Sequence, residues 1–244
     1  MAERRISNND GGLFFIAIAI VVAAFIAGNA VKAVKRAGDT IQVTGSAKMS
    51  VVSDYIVWRG EVRTDAQTLK QSSQQLLRYR QTVEAFLTDQ GVLETEVTWQ
   101  APSIWEQREY VNGQDTGRIL RYNASQMFII RSSRVDAIAE VAKAAEQLMR
   151  EGVPFNPFTP EFTYSKLNEA RIELMEEATR DARARAEKIA AAADNEVGPI
   201  REARMGVIQV VAPNSTNVSD YGMYDTTTKD KDVIAVVKVS FAVE

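Results

Sequence analysis

An apolar run near the N-terminus constrains this chain more than any other feature of its sequence. Residues 13–31 contain a single polar side chain, Asn29. A helix of this length covers about 28 Å, which matches the hydrocarbon thickness of a bilayer. A helix on a globular core would show a polar stripe, and this run has none. The run therefore predicts a membrane-spanning helix over residues 13–34, between an N-terminal tail (1–12) and a short basic linker (35–40).

The side chains expected to contact lipid are the large apolar ones of this run. They are Leu13, Phe14, Phe15, Ile16, Ile18, Ile20, Val21, Val22, Phe25 and Ile26. A cleaved signal peptide is an alternative interpretation, because Arg4 and Arg5 precede the run and small residues follow it at 28–30. A buried helix of a soluble core is a third. Basic residues flank the run on both sides, so the charge pattern leaves the orientation of a span open.

Composition removes several classes of chemistry. The chain has 244 residues and a net charge of −3, and it contains neither cysteine nor histidine. Disulfides, thiol nucleophiles, Ser-His-Asp triads and metal sites made from Cys or His are therefore excluded. No phosphate-binding loop, dinucleotide-binding glycine pattern or EF-hand spacing is present. We predict a protein that is not an enzyme, that carries no cofactor and no metal, and that does not bind nucleic acid.

Residues 41–244 show the pattern of an α+β domain with an antiparallel or mixed sheet and three packed helices. The helices are predicted near 64–90, 133–151 and 165–193, where apolar residues recur at steps of three or four. Strands are predicted near 41–49, 55–63, 94–101, 118–131, 200–211 and 233–243. Two helices close in a Gly-Val step that leads into an extended segment, which suggests repeated β-α-β-like units.

Local signals refine this pattern. Gly45, inside the first strand, indicates a bulge or a close backbone approach. Thr64 and Gln67 have the spacing of a capping box at a helix start. Asn112-Gly113 is a strong hairpin signal. Trp58, Trp99 and Trp105 lie on predicted strands and are interpreted as core or sheet-face packing, in preference to a platform for a ligand.

Two surfaces are candidates for contacts between subunits. The first is the long loop at 212–230, where Tyr and Met side chains stand among polar residues, although simple disorder is an alternative interpretation. The second is the charged face of the last helix, which can equally be an ordinary solvated face with favourable i,i+4 ion pairs. The candidate contact residues are Tyr221, Met223, Tyr224, Arg180, Arg183 and Glu187.

Two segments carry a resemblance to a known family. They are "IQVTGSAKMSVVSDYIVWRGEV" and "NEARIELMEEATRDARARAEKIAAAADNEVGPI". In the first, Val43, Gly45 and Asp54 fit the family pattern, and Ser53 stands where proline is usual. In the second the fitting residues are Ala182, Ala186, Lys188 and Ala190, and Val197-Gly198 replaces Leu-Gly. On these motifs the region from 41 to 244 resembles the SIMPL-domain family of bacterial periplasmic or membrane-anchored proteins.

The resemblance implies an antiparallel sheet with packed helices, large homo-oligomers such as a hollow, channel-like ring, and a loose link to stress tolerance. It carries no catalytic residue. We therefore predict a non-enzymatic, single-pass protein of the bacterial inner membrane, with its main domain in the periplasm. This protein would assemble with itself into a ring or cage at the cell envelope, in a scaffold or stress-related role, with an unidentified envelope protein or client as a further partner. The alternative is a periplasmic binding or chaperone-like module that acts on peptides or misfolded clients as a monomer or dimer.

Overall fold

The computed structural model describes residues 18–26, 39–215 and 221–243. The described residues 18–26 are helical and are named α1. Among the described residues no helix is long and apolar enough to cross a membrane. The predicted membrane-spanning helix is therefore wrong. The predicted localisation as a single-pass inner-membrane protein with a periplasmic domain is wrong for the same reason.

The residues of the predicted span divide into two groups. Those at 13–16 lie outside the described residues, as do the predicted tail and most of the predicted linker. The other predicted lipid contacts lie in α1 with exposed side chains; they are Ile18, Ile20, Val21, Val22, Phe25 and Ile26.

The domain that follows is α+β, as predicted, and its sheets are antiparallel. Its helices are α2 (Leu69–Asp89), α3 (Val135–Ala144), α4 (Glu146–Arg150) and α5 (Leu167–Ala191). The strands are β1 (Thr40–Val52), β2 (Tyr55–Ala66), β3 (Val97–Trp99), β4 (Ser103–Val111), β5 (Gln114–Ser132), β6 (Phe155–Pro157), β7 (Glu161–Thr163), β8 (Val197–Met205), β9 (Gln209–Val211) and β10 (Asp230–Val243). The predicted fold class is thus wrong in its transmembrane helix. It is also wrong in the number of helices packed in the domain, since three were predicted and the described residues form four, α2 to α5.

One sheet has the order β1-β10-β8, with β9 paired to β10; the other has the order β3-β5-β2-β6, with β4 paired to β5 and β7 paired to β2. β10 is apolar on both faces, with Val233, Ala235 and Val237 on one and Ile234 and Val236 on the other. This sequence pattern is typical of a central strand, and β10 indeed has neighbours on both sides. The segment after α4 contains Pro154, Pro157 and Pro160 and supplies only short strands beside β2, because proline has no N–H to donate to a strand ladder.

The chain divides into two compact units. The first comprises the described residues of Met1–Ala47, Glu173–Val207 and Ala235–Glu244, and the second comprises Lys48–Ile172 and Ile208–Ile234. The core of the second unit contains large side chains, among them the fully buried Trp58, Phe128 and Ile130. The core of the first unit is smaller and contains three alanines of α5, namely Ala178, Ala182 and Ala186.

Gly45 confirms the predicted close backbone approach within the first unit. A Cβ built on this residue would lie 2.1 Å from the carbonyl oxygen of Ala178 and 2.5 Å from the amide nitrogen of Ala182. The side-chain carboxylate of Asp181 accepts a hydrogen bond from the backbone N–H of Ser46 at 2.9 Å. The absence of a side chain at residue 45 therefore lets α5 lie directly on β1.

Two predicted helix boundaries need correction. α2 begins at Leu69 and is capped by Thr68, whose side chain accepts from the N–H of Gln71 at 3.3 Å. Thr64 remains in β2, where its hydroxyl lies 2.9 Å from that of Ser72. The helix predicted near 133–151 is interrupted at the buried Ala145, because the N–H of Leu148 bonds to the carbonyl of Ala145 in a tight 3₁₀ turn.

Candidate functional site

A two-stranded ribbon, residues 103–122, is the strongest candidate for a functional surface in the second unit. β2 pairs with β5 only as far as the Ala66–Tyr122 pair, so the beginning of β5 has β4 as its partner. In the part of the chain that the structure describes, β4 pairs with β5 alone. The ribbon is thus a hairpin that continues past the sheet to which β5 belongs.

The sequence at the turn explains why the ribbon forms. Asn112 and Gly113 both have positive φ, 51° and 79°, as the two central residues of a type I′ turn require. This turn has the twist that suits two antiparallel strands. The predicted hairpin is therefore confirmed, but its first strand is β4, which sequence analysis placed in the connection.

The ribbon exposes an unusual number of large apolar side chains. Tyr110 is 65% exposed and Trp105 is 48% exposed, so Trp105 lies on a sheet face and not in a core, the two settings predicted for it. The other exposed apolar residues of the ribbon are Ile104, Val111, Ile119 and Leu120. An isolated two-stranded hairpin is at best marginally stable in water, and contiguous apolar patches mark interaction sites.

Charges on the ribbon balance each other. Residues 103–122 contain three acidic side chains (Glu106, Glu109 and Asp115) and three basic ones (Arg108, Arg118 and Arg121). Arg108 contacts Glu106 at 2.8 Å, and Arg118 contacts Glu109 at 3.5 Å. The hydrogen bond to Glu106 holds the pKa of Arg108 above its usual value. The ribbon is thus an apolar surface without net charge, and it offers no attraction to polyanions.

The described part of the predicted contact loop is held at its C-terminal end by a buried lysine. The Lys231 side chain is fully buried, and its Nζ donates to the backbone carbonyls of Asp225 and Thr228 at 2.6 and 2.5 Å. Burial lowers the pKa of Lys231 despite the nearby carboxylate of Asp225. Burial would raise the pKa of Asp225, but hydrogen bonds from Thr228 and Thr227 lower it to about 2.

The three predicted contact residues of this loop lie in different settings. Tyr221 is almost fully exposed, and Tyr224 is exposed while its backbone forms a bridge to Val210. The carbonyl of Met223 accepts from the N–H of Val210 at 2.8 Å. Tyr221 and Tyr224 are thus exposed aromatic groups of this loop, and their contact with another subunit stays a prediction.

The predicted contact residues on α5 belong to the first unit and form ion pairs within the helix. Arg183 contacts Glu187 at 2.9 Å, and Arg180 contacts Glu176, each at the i,i+4 spacing. Such exposed pairs contribute at most a few tenths of a kcal/mol. The i,i+4 ion pairs expected on the charged face of α5 are therefore present. Contact of this face with another subunit stays a prediction.

Two carboxylates with lowered pKa values, those of Glu96 and Asp232, serve structural contacts in the second unit. Glu96 bonds to Arg134 and accepts from the hydroxyl of Ser132 at 2.5 Å, and its pKa is lowered to about 2, chiefly by the Arg134 hydrogen bond. Asp232 accepts from Ser50 at 2.7 Å and from Lys48 at 3.1 Å. Within the described ranges, no group of three or more acidic residues is placed to hold a metal ion.

Sequence reasoning missed the ribbon as a site, although one signal was present. The Asn-Gly turn is flanked by apolar residues on both sides, at 110–111 and 119–120, with polar residues between them. A strand that leaves its sheet exposes both faces, so the usual alternation of apolar and polar residues is lost. That loss of alternation hid β4.

Fold and surface together define an α+β protein with antiparallel sheets, an aromatic core in the second unit and an exposed apolar ribbon. The chain belongs to the SIMPL family, described as "Protein of unknown function (DUF541)", whose sequence pattern matches residues 41–241. The resemblance noted from the two sequence motifs is thereby confirmed. No curated protein matches the chain.

Proposed function

We propose that this SIMPL-family protein is a non-enzymatic assembly protein that forms a homo-oligomeric ring or cage with a scaffold role. The observation that supports the proposal is the part of the ribbon nearest its turn, where Tyr110, Val111, Ile119 and Leu120 are exposed on two strands that pair with each other. Burying such side chains against a partner stabilises both the ribbon and the complex, because each contributes roughly 1.5–3 kcal/mol when fully buried.

A second copy of the chain fits this surface better than an unlike partner. The ribbon carries equal numbers of acidic and basic side chains, so it can pack on another surface of the same chain without net repulsion. The outer edge of β4 also offers backbone N–H and C=O groups to another strand. Most soluble oligomers are closed and symmetric, and a ring needs two different surfaces that face each other. The loop with Tyr224 and the α5 face with Arg183 are the candidates for the second surface.

The test is the mass of the full-length particle in solution. We expect the wild-type protein to give one sharp species that is a multiple of its 27.0 kDa chain mass. The double substitution Tyr110→Ser and Ile119→Ser removes one exposed apolar group on each side of the turn, and we expect it to release smaller species. Mass photometry at several concentrations measures both proteins.

Leu77→Ser is the matched control, because Leu77 is an exposed apolar residue of α2 outside the ribbon. It should leave the particle mass unchanged. A wild-type particle of a single chain would sink the proposal. If the double variant forms the same oligomer as the wild-type protein, the ribbon is not the contact between subunits.

A peptide-binding module is the second candidate function, and one observation favours it. Among the described strands β8 pairs with β10 alone, and its residues from Pro199 to Met205 are exposed. An extended peptide can add a strand to such an edge. Stoichiometric binding of a permanently unfolded client protein, lost on Arg201→Pro, would support this function. The absence of binding at micromolar concentrations would count against it.

A further inference from the structure

A cleft lies where the ribbon meets the rest of the second unit. Its volume is about 510 Å³, within the range of roughly 300–1,000 Å³ that is typical of small-molecule sites. The residues that matter for its chemistry come from α2, β4 and β5; they are Gln75, Tyr79, Trp105, Gln107, Arg121 and Asn123. We call this site the ribbon-base cleft.

The strand register aligns several of these side chains. Trp105 pairs with Asn123, and Asn123 in turn pairs with Asp65, so the three form one cross-strand row. Gln107 pairs with Arg121 two residues further along the ribbon, and residues at this spacing share a face of the sheet. Directly opposed residues have Cβ atoms about 5 Å apart. An aromatic ring, two carboxamides and an ion pair are thereby gathered on one surface.

The carboxamides in the cleft have unused hydrogen-bonding capacity. The side chains of Gln75, Gln107 and Asn123 make no hydrogen bond with the residues that the structure describes. Each carboxamide offers two donors and an acceptor on a short planar group. Tyr79 adds a hydroxyl that can donate and accept. The cleft therefore presents both hydrogen-bond donors and acceptors next to the indole ring of Trp105.

The arginines of the cleft are already neutralised. Arg121 is ion-paired with Asp65. The Nε and Nη2 atoms of Arg63 both donate to Oε2 of Glu61, at 2.8 and 2.6 Å. A phosphate or another anion would have to displace these carboxylates. Nucleic acid is disfavoured for the same reason, since its affinity depends on free Lys and Arg. The ligand that fits is uncharged, rich in hydroxyl groups and flat on one side.

We propose that the ribbon-base cleft binds a carbohydrate chain of a few neutral sugar units. The C–H face of a pyranose ring is apolar and would lie on the Trp105 ring, while hydroxyl groups would bond to the carboxamides of Asn123 and Gln107 and to the Arg121–Asp65 pair. The cleft is open to solvent, so a sugar unit can enter it from the surface. This inference goes beyond self-assembly and does not depend on it.

The experiment is a titration of the full-length protein with defined tetrasaccharides, followed by calorimetry and by tryptophan fluorescence. The probes are β-1,4-linked glucose, β-1,4-linked N-acetylglucosamine and α-1,4-linked glucose, with sodium sulfate as the ionic control. We expect saturable binding of at least one tetrasaccharide and none of sulfate. Trp105→Ala and Gln107→Ala should each weaken that binding, the former roughly tenfold or more.

Both substituted side chains are exposed, so the variants should fold, and an unchanged thermal unfolding curve verifies this. Tyr110→Ser is the matched control, because it removes an exposed ribbon aromatic that does not line the cleft. It should leave sugar binding intact even if it changes the particle mass, which separates this inference from self-assembly. No saturable binding, or equal binding by Trp105→Ala, would overturn the proposal. Binding that appears only in Tyr110→Ser would also overturn it, because a second copy would then occupy the cleft.

Discussion

The cores of the two units are built from side chains of opposite size. In the second unit Trp58 meets Phe128 edge to face at 5.4 Å between ring centroids, and Phe128 stacks on Phe155 at 6.0 Å. In the first unit the α5 side of the core consists of alanines, of which Ala182 is fully buried. One core gains stability from large apolar area, and the other gains it from close approach of a helix to a strand.

This difference predicts opposite sensitivities. An aromatic core should suffer most when a side chain is made smaller, because the removed ring leaves a cavity. We call the contact of Ala178 and Ala182 on α5 with Gly45 on β1 the alanine seam. Truncation of these small side chains removes little apolar area, but an added methyl group forces the helix to move. Substitutions that shrink one core and enlarge the other therefore test the comparison directly.

Truncation in the aromatic core should have the largest effect. Phe128→Ala removes a fully buried ring that contacts Trp58, Phe155 and Trp99. We expect it to lower the free energy of unfolding by about 3–5 kcal/mol. Chemical denaturation followed by far-UV circular dichroism measures this change.

Ile119→Ala is the control for that prediction, since Ile119 lies on the same strand but is exposed in the ribbon. Its effect should stay within about 0.5 kcal/mol. Similar losses for the two variants would show that the ribbon is as well packed as the core, contrary to the comparison.

An added methyl group should have its largest effect in the alanine seam. Gly45→Ala would place a Cβ 2.1 Å from a backbone oxygen of α5, and the helix would have to shift. We expect a loss of about 1–3 kcal/mol in the free energy of unfolding. Differential scanning calorimetry on full-length wild-type and variant protein measures it as a lower Tm.

Gly60→Ala sharpens this prediction within the aromatic core. Its Cβ would meet ring carbons of Phe155 at 2.5 Å and of Phe128 at 2.6 Å. Rings can rotate or tilt, whereas helix backbone moves only as a whole, so Gly60→Ala should cost less than Gly45→Ala. The reverse order would contradict the view that the seam is the more rigid contact.

A carboxylate contact should give the smallest of the three effects. Glu96 is 12% exposed and bonds to Arg134, which is partly exposed. Glu96→Gln keeps the shape but removes the charge, and we expect a loss of about 1–2 kcal/mol at neutral pH. The effect depends on pH, because the pKa of Glu96 is lowered in the folded state from 4.5 to about 2.

The sign of this pH dependence follows from proton linkage. In acid the unfolded chain binds the Glu96 proton first, so the contribution of Glu96 to stability is complete above pH about 4.5 and disappears as the pH falls towards about 2. Asp181 makes the corresponding contact in the first unit, where the Ser46 N–H and Arg185 lower its pKa. Wild-type and Glu96→Gln unfolding curves should converge near pH 2, and curves that stay parallel down to that pH would refute the assignment.

Local patterns with a single physical cause were read correctly from the sequence. The Asn112-Gly113 turn, the close approach at Gly45 and the central position of β10 each follow from the residues themselves. Asn and Gly tolerate positive φ, a glycine inside a strand admits a neighbouring backbone, and two apolar faces require cover on both sides. The motifs at both ends of the domain also identified the SIMPL family.

Features that depend on remote contacts were not readable in advance. Thr64 has the spacing of a helix cap, but β2 continues through it because its hydroxyl bonds to Ser72 and its backbone pairs with Ala124. The break at Ala145 carries no Gly or Pro signal, because packing of Ala145 and Leu148 in the core decides it. The apolar run at 13–31 predicted a membrane span that the described residues contradict.

The sequence by itself determined the family and the α+β pattern, because motif residues, periodicity and turn residues act within a few residues. Only the tertiary structure decided which strand leaves its sheet to form the ribbon and which side chains line the cleft at its base. Trp105, Asn123 and Asp65 are far apart in sequence and meet only through the register of three strands. Register is set by the packing of the whole sheet, so no short stretch of sequence can encode it alone.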